Sequence, residues 1–196
     1  SYINRYSTLP GQRAIVMTNN DDAYLTGLAL HGAGARVTMV DLRKAPTGPL
    51  IRKTNEAGIE ILTSHAIITA HGNKRVARVE IAPVNITATK IDGDIIHRDC
   101  DLVAMSGGLS PAVHLHSQAR GKLQWDIKKL CFKPSATHEA SFNAGAGNGS
   151  FDLSAAIKEG LRNGERAAKA AGFKNIKSES PNVTMLKQSW MPLAVW

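Results

Sequence analysis

Apolar and polar positions follow a regular order over the first sixty residues. Arg13–Thr18 (RAIVMT) is a short apolar, β-branched run, the pattern of a strand buried on both faces. In Asp22–Ala33 (DAYLTGLALHGA), Ala23, Leu25, Leu28, Ala29 and Leu30 fall largely on one helical face, and Gly34 supplies a stop. Arg36–Asp41 (RVTMVD) predicts a second strand, ending on an acid. Past a Pro and Gly turn, Pro49–Ala57 predicts a second helix closed by Gly58, followed by the strand Ile59–Leu62. Strand, helix, strand, helix, strand is the βαβαβ half of a doubly wound parallel sheet, an α/β fold.

The pattern then changes. His65–Ala70 and Arg75–Val84 are strand-like around the turn HGNK, and Ile95–Asp99 is strand-like again, which predicts a small antiparallel meander. Asp101–Ser106 (DLVAMS) runs into Gly107-Gly108, as the next strand of the parallel sheet would run into a tight turn. From Ser110 to Ser135 long periodic segments are few, and the chain is expected to wrap a surface. Phe142 and its neighbours form a strand-like approach to NAGAGNGS. Leu153, Ala156, Ile157, Gly160 and Leu161 then recur at helical spacing, predicting a helix of about four to five turns ended by Gly172. The last residues, SPNVTMLKQSWMPLAVW, read as an extended tail.

Composition narrows the class. With 196 residues, 43% of them hydrophobic, the chain suits one sizeable domain or two small ones. No apolar run nears the ~20 residues that span a bilayer, and the first residues carry no secretory pattern. Cys100 and Cys131 are far apart and in no CxxC pair, so neither a disulfide framework nor a redox centre is expected, and a reducing cytoplasm fits. The net charge of +8 is spread without long basic runs or aromatic interleaving. Nucleic acid is therefore not the expected partner, whereas an acidic partner subunit is compatible.

Two turns stand where a dinucleotide would meet a helix start. Glycines normally let backbone amides reach a pyrophosphate there. The early turn instead reads Thr18-Asn19-Asn20-Asp21-Asp22, whose side chains crowd an approaching phosphate. Asn tolerates left-handed backbone, and Asp21 or Asp22 is expected to cap the helix in place of a phosphate. Asp41, at the end of the second strand, stands either where a ribose-binding acid would be or at the start of a plain loop. The late turn, Gly145-Ala146-Gly147-Asn148-Gly149-Ser150, is small-residue and precedes a good helix. Its GxGxG spacing is a weak fingerprint, equally read as slack before a helix.

Three stretches carry a resemblance: YINRYSTLPGQRAIVMTNNDDAY, CDLVAMSGGLSPAVHLHSQARGKLQWD and FNAGAGNGSFDLSAAIKEG. They resemble the pyridine-nucleotide disulfide oxidoreductase fold and, more narrowly, the α subunits of heterotetrameric sarcosine oxidases. The resemblance implies a Rossmann-like three-layer nucleotide-binding domain with an antiparallel meander over residues 1–110, inserted and degenerate. It further implies the C-terminal part of a split second nucleotide-binding domain over 111–175, and a tail or linker over 176–196. It implies an NAD shared with an upstream GxGxxG segment, with Ala146, Phe151 and Leu153 at the cofactor-binding positions, mainly through backbone. FAD and FMN are implied in the β subunit, the β and other subunits of a hetero-oligomer as partners, and folate in a downstream region. No catalytic residue of sarcosine demethylation to glycine is implied in this chain, and isolated it is expected to bind NAD weakly or not at all. Related flavoproteins acting on opines or glycine, and a non-catalytic interaction module, are the alternatives.

Other constellations are weaker. His114 and His116 would share one face of a strand, an arrangement open to a metal, but no further ligand lies nearby and a packing or surface role is expected. Ser106-Gly107-Gly108 lacks the GxSxG of a nucleophile elbow. Asp99 and Asp101 flank Cys100 and disfavour its thiolate. Trp125, Trp190 and Trp196 read as packing or docking residues.

Overall fold

The computed structural model describes residues 2–174, which divide between Gly108 and Leu109 into two units. In the first unit a short helix α1 (Tyr2–Tyr6) precedes β1 (Arg13–Thr18), α2 (Asp22–Gly32), β2 (Arg36–Asp41), α3 (Pro49–Glu56) and β3 (Glu60–Thr63). A meander follows, β4 (His65–Gly72), β5 (Val76–Pro83) and β6 (Ile96–Asp99), and then β7 (Leu102–Ser106). The parallel sheet has the order β3-β2-β1-β7, and β4-β5-β6 form an antiparallel sheet of their own. Both match the sequence expectation to within one or two residues at the strand ends.

Alternation along β1 and β2 builds three layers. Ala14, Val16, Val37 and Met39 face the helices, meeting Ala23, Tyr24, Leu30 and Ile51. Ile15 and Val40 belong to a second cluster with Val79, Ile81 and Cys100 of the meander side. Cover on both faces explains why these strands read as continuous apolar runs. At the contact of α2 with β2, a Cβ on Gly27 would stand 2.6 Å from Met39 Sδ, so the helix approaches at a glycine. The Arg13 amide donates to the Asp101 carboxylate at 2.8 Å, fixing the start of β1 beside β7.

In the second unit the stretch expected to lack regular elements contains α4 (His114–Gln118) and a hairpin of β8 (Leu123–Asp126) and β9 (Cys131–Pro134). After it come a 3-10 turn over Gly145–Asn148 and the long helix α5 (Leu153–Ala170). Among the described residues no strand lies between 135 and 144, so the strand-like approach to the late turn is not formed. The expected tail, with Trp190 and Trp196, lies outside the described residues.

The histidine pair is also corrected. Residues 114–118 are helical, with the Ser117 and Ala119 amides bonded to the Val113 and Leu115 carbonyls. Two residues apart on a helix is about 200°, so His114 and His116 do not share a face. His114 is exposed, while His116 is buried between the Lys122 carbonyl, 2.9 Å from Nε2, and the Asn143 amide, 3.1 Å from Nδ1. That pair of contacts specifies the neutral ring, donating from Nε2 and accepting at Nδ1. Among the described residues no group of three His, Cys, Asp or Glu side chains is placed to hold a metal, and no helix is long and apolar enough to cross a membrane.

Candidate functional site

At the early turn β1 and its parallel neighbour β7 end side by side at Thr18 and Ser106, and open α/β sheets place ligands in the crevice outside such strand ends. Here two carboxamides stitch it. Asn19 Nδ2 donates to the Gly107 carbonyl and Asn20 Nδ2 to the Ser106 carbonyl, each at 3.3 Å. Thr18, Asn19, Asn20 and Asp21 are all buried. The self-occupied turn expected from the sequence is thus formed, by different means. None of these residues takes a left-handed backbone. The helix-capping acid is replaced as well: Asn20 Oδ1 accepts the Asp22 amide at 3.1 Å, whereas Asp21 makes no side-chain cap.

Asp21 is turned instead toward a cation the sequence reading missed. Arg43 donates to Asp21 Oδ1 at 2.7 Å and to both oxygens of Asp41, at 3.0 Å from Nε and 2.8 Å from its terminal nitrogen. Tyr24 donates its hydroxyl to Asp41 Oδ2 at 2.7 Å, and the Arg43 amide donates to Asp41 Oδ1. Asp41 is wholly buried, so it neither awaits a ribose nor merely begins a loop: its oxygens are committed to the protein. Burial works against the Arg43 charge, but the carboxylates of Asp41 and Asp21 more than offset it and hold the guanidinium further above its usual range. Burial, then the Asp41 hydrogen bond, pushes the Tyr24 hydroxyl up, and burial with neighbouring Asp21 raises Asp22. The signal was legible in Asp41-Leu42-Arg43, a base two residues past a strand-ending acid.

The late turn is built on two left-handed glycines, Gly145 (φ 60°) and Gly149 (φ 72°). At both, an added Cβ would meet neighbours at 3.3 Å, Ala156 and Pro111 respectively, so the turn needs glycine for backbone and space alike. Glu159 closes its inner side. Its Oε2 accepts the Gly145 amide at 3.0 Å and its Oε1 the Ser150 hydroxyl at 2.6 Å. Burial raises this carboxyl, yet the Ser150, Gly145 and Asn148 donors and the Lys129 charge outweigh burial and lower it. Lys129 also donates to the Gly149 carbonyl at 2.6 Å. Glu159 stands seven residues after Asp152, two helical turns along the same face, a spacing that would have pointed to it.

Asp152 caps α5 by accepting the Ala155 amide at 2.8 Å. The first-turn amides of Leu153 and Ser154 have no acceptor among the described residues. Ala146 sits exposed inside the 3-10 turn, Phe151 is half-buried, and Leu153 begins the helix, 49% exposed. The structure therefore strings the three expected cofactor positions along one continuous turn and helix start. Cys100 and Cys131 are free and buried, and burial raises both thiols above their ordinary value, so neither is a nucleophile.

No protein-family profile matches the chain. Curated relatives do. The sarcosine oxidase subunit alpha of Corynebacterium sp. (strain P-1) is 32% identical over 176 residues, covering 90% of this chain and 18% of the relative. That of Rhizobium meliloti (strain 1021) is 27% identical, over 88% of this chain and 16% of the relative. The chain thus spans less than a fifth of the length of the curated relatives it matches. Among solved structures, T. acidophilum thioredoxin reductase aligns with a TM-score of 0.64 at 14% identity, over 86% of this chain and 55% of that one. The bacillithiol disulfide reductase of Staphylococcus aureus aligns with a TM-score of 0.60 at 14% identity, over 85% and 53%. By sequence the chain is similar to part of the sarcosine oxidase α subunits, and its fold is like that of thioredoxin reductase.

Proposed function

We propose that the chain forms part of the α subunit of a sarcosine oxidase type flavoenzyme, in which it supplies the late half of an NAD site. In this reading residues 111–175 are the C-terminal part of a split dinucleotide-binding domain, residues 1–110 a degenerate domain kept for structure and subunit contacts, and 176–196 a linker. The late turn carries the proposal: its glycines hold a left-handed backbone beside Ala146, and the Leu153 and Ser154 amides are left to an acceptor from outside. Ala146, Phe151 and Leu153 would line the nucleotide, mainly through main chain.

The complete site takes a complementary GxGxxG segment from elsewhere in a full-length subunit. FAD and FMN reside in the β subunit of the hetero-oligomer, folate binds a downstream region, and the assembly demethylates sarcosine to glycine in the cytoplasm. This chain adds no catalytic residue to that oxidation. The closed early crevice favours a contact role for the first unit within the same assembly. Calorimetry of the 196-residue chain with NAD is expected to show weak or no binding, while Gly149→Val in the full-length subunit is expected to lower its NAD content. Tight NAD binding by the chain alone, or unchanged NAD in the valine variant, would overturn the proposal.

A further inference from the structure

The second unit holds a cavity of about 550 Å³ lined by α5 and by the loop before the late turn, a size ordinary for a small-molecule site. Its polar groups separate into those already engaged and those left over. Asn163 donates to the Asn143 carbonyl and accepts from Arg166 at 3.2 Å. Asn143 spends its amide on His116, Thr137 and Ser141 pair their hydroxyls at 3.1 Å, and Glu159 is committed to the late turn. What remains is cationic. Arg162 has no hydrogen-bond or ion-pair partner among the described residues, and Arg166 keeps donors free while its guanidinium lies 4.7 Å over the Phe142 ring.

Arg162 and Arg166 are four residues apart on one helix face, where like charges repel unless an anion lies between them. Two guanidiniums lining one cavity match a dianionic group with several acceptor oxygens. We propose that this cavity binds a phosphate group, free or as part of a nucleotide, between Arg162 and Arg166, with Arg166 held in place by Phe142 and Asn163. Exposed Glu139, also in the lining, works against the anion. The proposal stands on these side chains alone and not on the dinucleotide reading of the late turn.

The test titrates the 196-residue chain with inorganic phosphate, AMP and NAD, by calorimetry and by the NMR signals of the arginine side chains. Saturable phosphate binding is expected, weakened about tenfold in Arg162→Gln, further in the double variant with Arg166→Gln, and strengthened in Glu139→Gln. Circular dichroism checks that each variant keeps its fold, and Arg162, exposed and unpartnered, is safe to change. Equal affinity for phosphate and AMP identifies the bare anion as ligand, and tighter AMP identifies a nucleotide; both support the site. No saturation by any of the three up to about 10 mM, or an affinity unmoved by Arg162→Gln, overturns it. Phosphate binding without NAD binding leaves the site standing while saying nothing for the late turn, and NAD binding indifferent to both arginines sinks the site alone.

Discussion

The early crevice and the late turn occupy like places, each at the start of a helix where a nucleotide phosphate would sit, and each carries protein carboxylates of its own. They differ in depth. Around β1 and β2 the charges are buried, Asp41 completely, and the Asn19 and Asn20 carboxamides tie the two loops together. In the late turn one half-buried carboxylate, Glu159, braces the inner side, and the Leu153 and Ser154 amides make no hydrogen bond among the described residues. A crevice closed by a buried ion network cannot take a ligand without first breaking that network. A turn braced from behind is organised by its carboxylate and still has donors to offer.

The sharpest way to break this contrast is Arg43→Ala, which leaves Asp21 and Asp41 buried without their cation. A loss of about 3–5 kcal/mol is expected in urea unfolding, and a change below about 1 kcal/mol would show that the network is not what holds the crevice shut. In the second unit, Gly121→Ala would place a Cβ 2.3 Å from His116 Nε2. Overpacking of about 1–3 kcal/mol is expected, with the His116 ring signals shifting in NMR spectra. Asp152→Ala removes the one side-chain cap of α5 and should destabilise by about 1 kcal/mol, read as an earlier melt of helical circular dichroism.

The smallest effect is set by pH. The folded Glu159 carboxyl lies below its ordinary 4.5, so as pH falls the unfolded chain takes the proton first. Its contribution is therefore complete above about pH 4.5 and is lost as pH drops through the lower folded value. The Gly145 amide should report that step by NMR, and Glu159→Gln should abolish it. Asp126 gives an internal reference: Lys133 Nζ at 2.6 Å, then the Lys129 amide, hold it at about 2. The hairpin is thus expected to keep its ion pair down to about pH 2.

Much of the first unit was legible because cover on both faces turns its parallel strands into continuous apolar runs. Arg13–Thr18 and Arg36–Asp41 were placed as such runs, and the meander strands within a residue or two by their β-branched residues and turns. The closure of the early turn was legible too, in Asn19 and Asn20, but the part of Arg43 was not. Arg43 acts on Asp21 across 22 residues, a pairing that no local pattern encodes. The second unit hid more. Its helix α4 and hairpin are short, with Trp125, Ile127 and Phe132 facing outward, so burial leaves little periodicity to read. Glu159 was overlooked for another reason: a charged residue on a helix looks like solvated surface until the fold brings it back to Gly145 and Ser150.

The register of β1 with β7 carries a consequence for the newborn protein. Ala14 pairs with Leu102, so 88 residues separate the partners, and the whole meander lies between them. At ordinary synthesis rates β1 then waits about 4–18 s for the neighbour on its second side. Throughout that interval an apolar strand edge stands open to other chains. That exposure ends only when the seventh strand has been made.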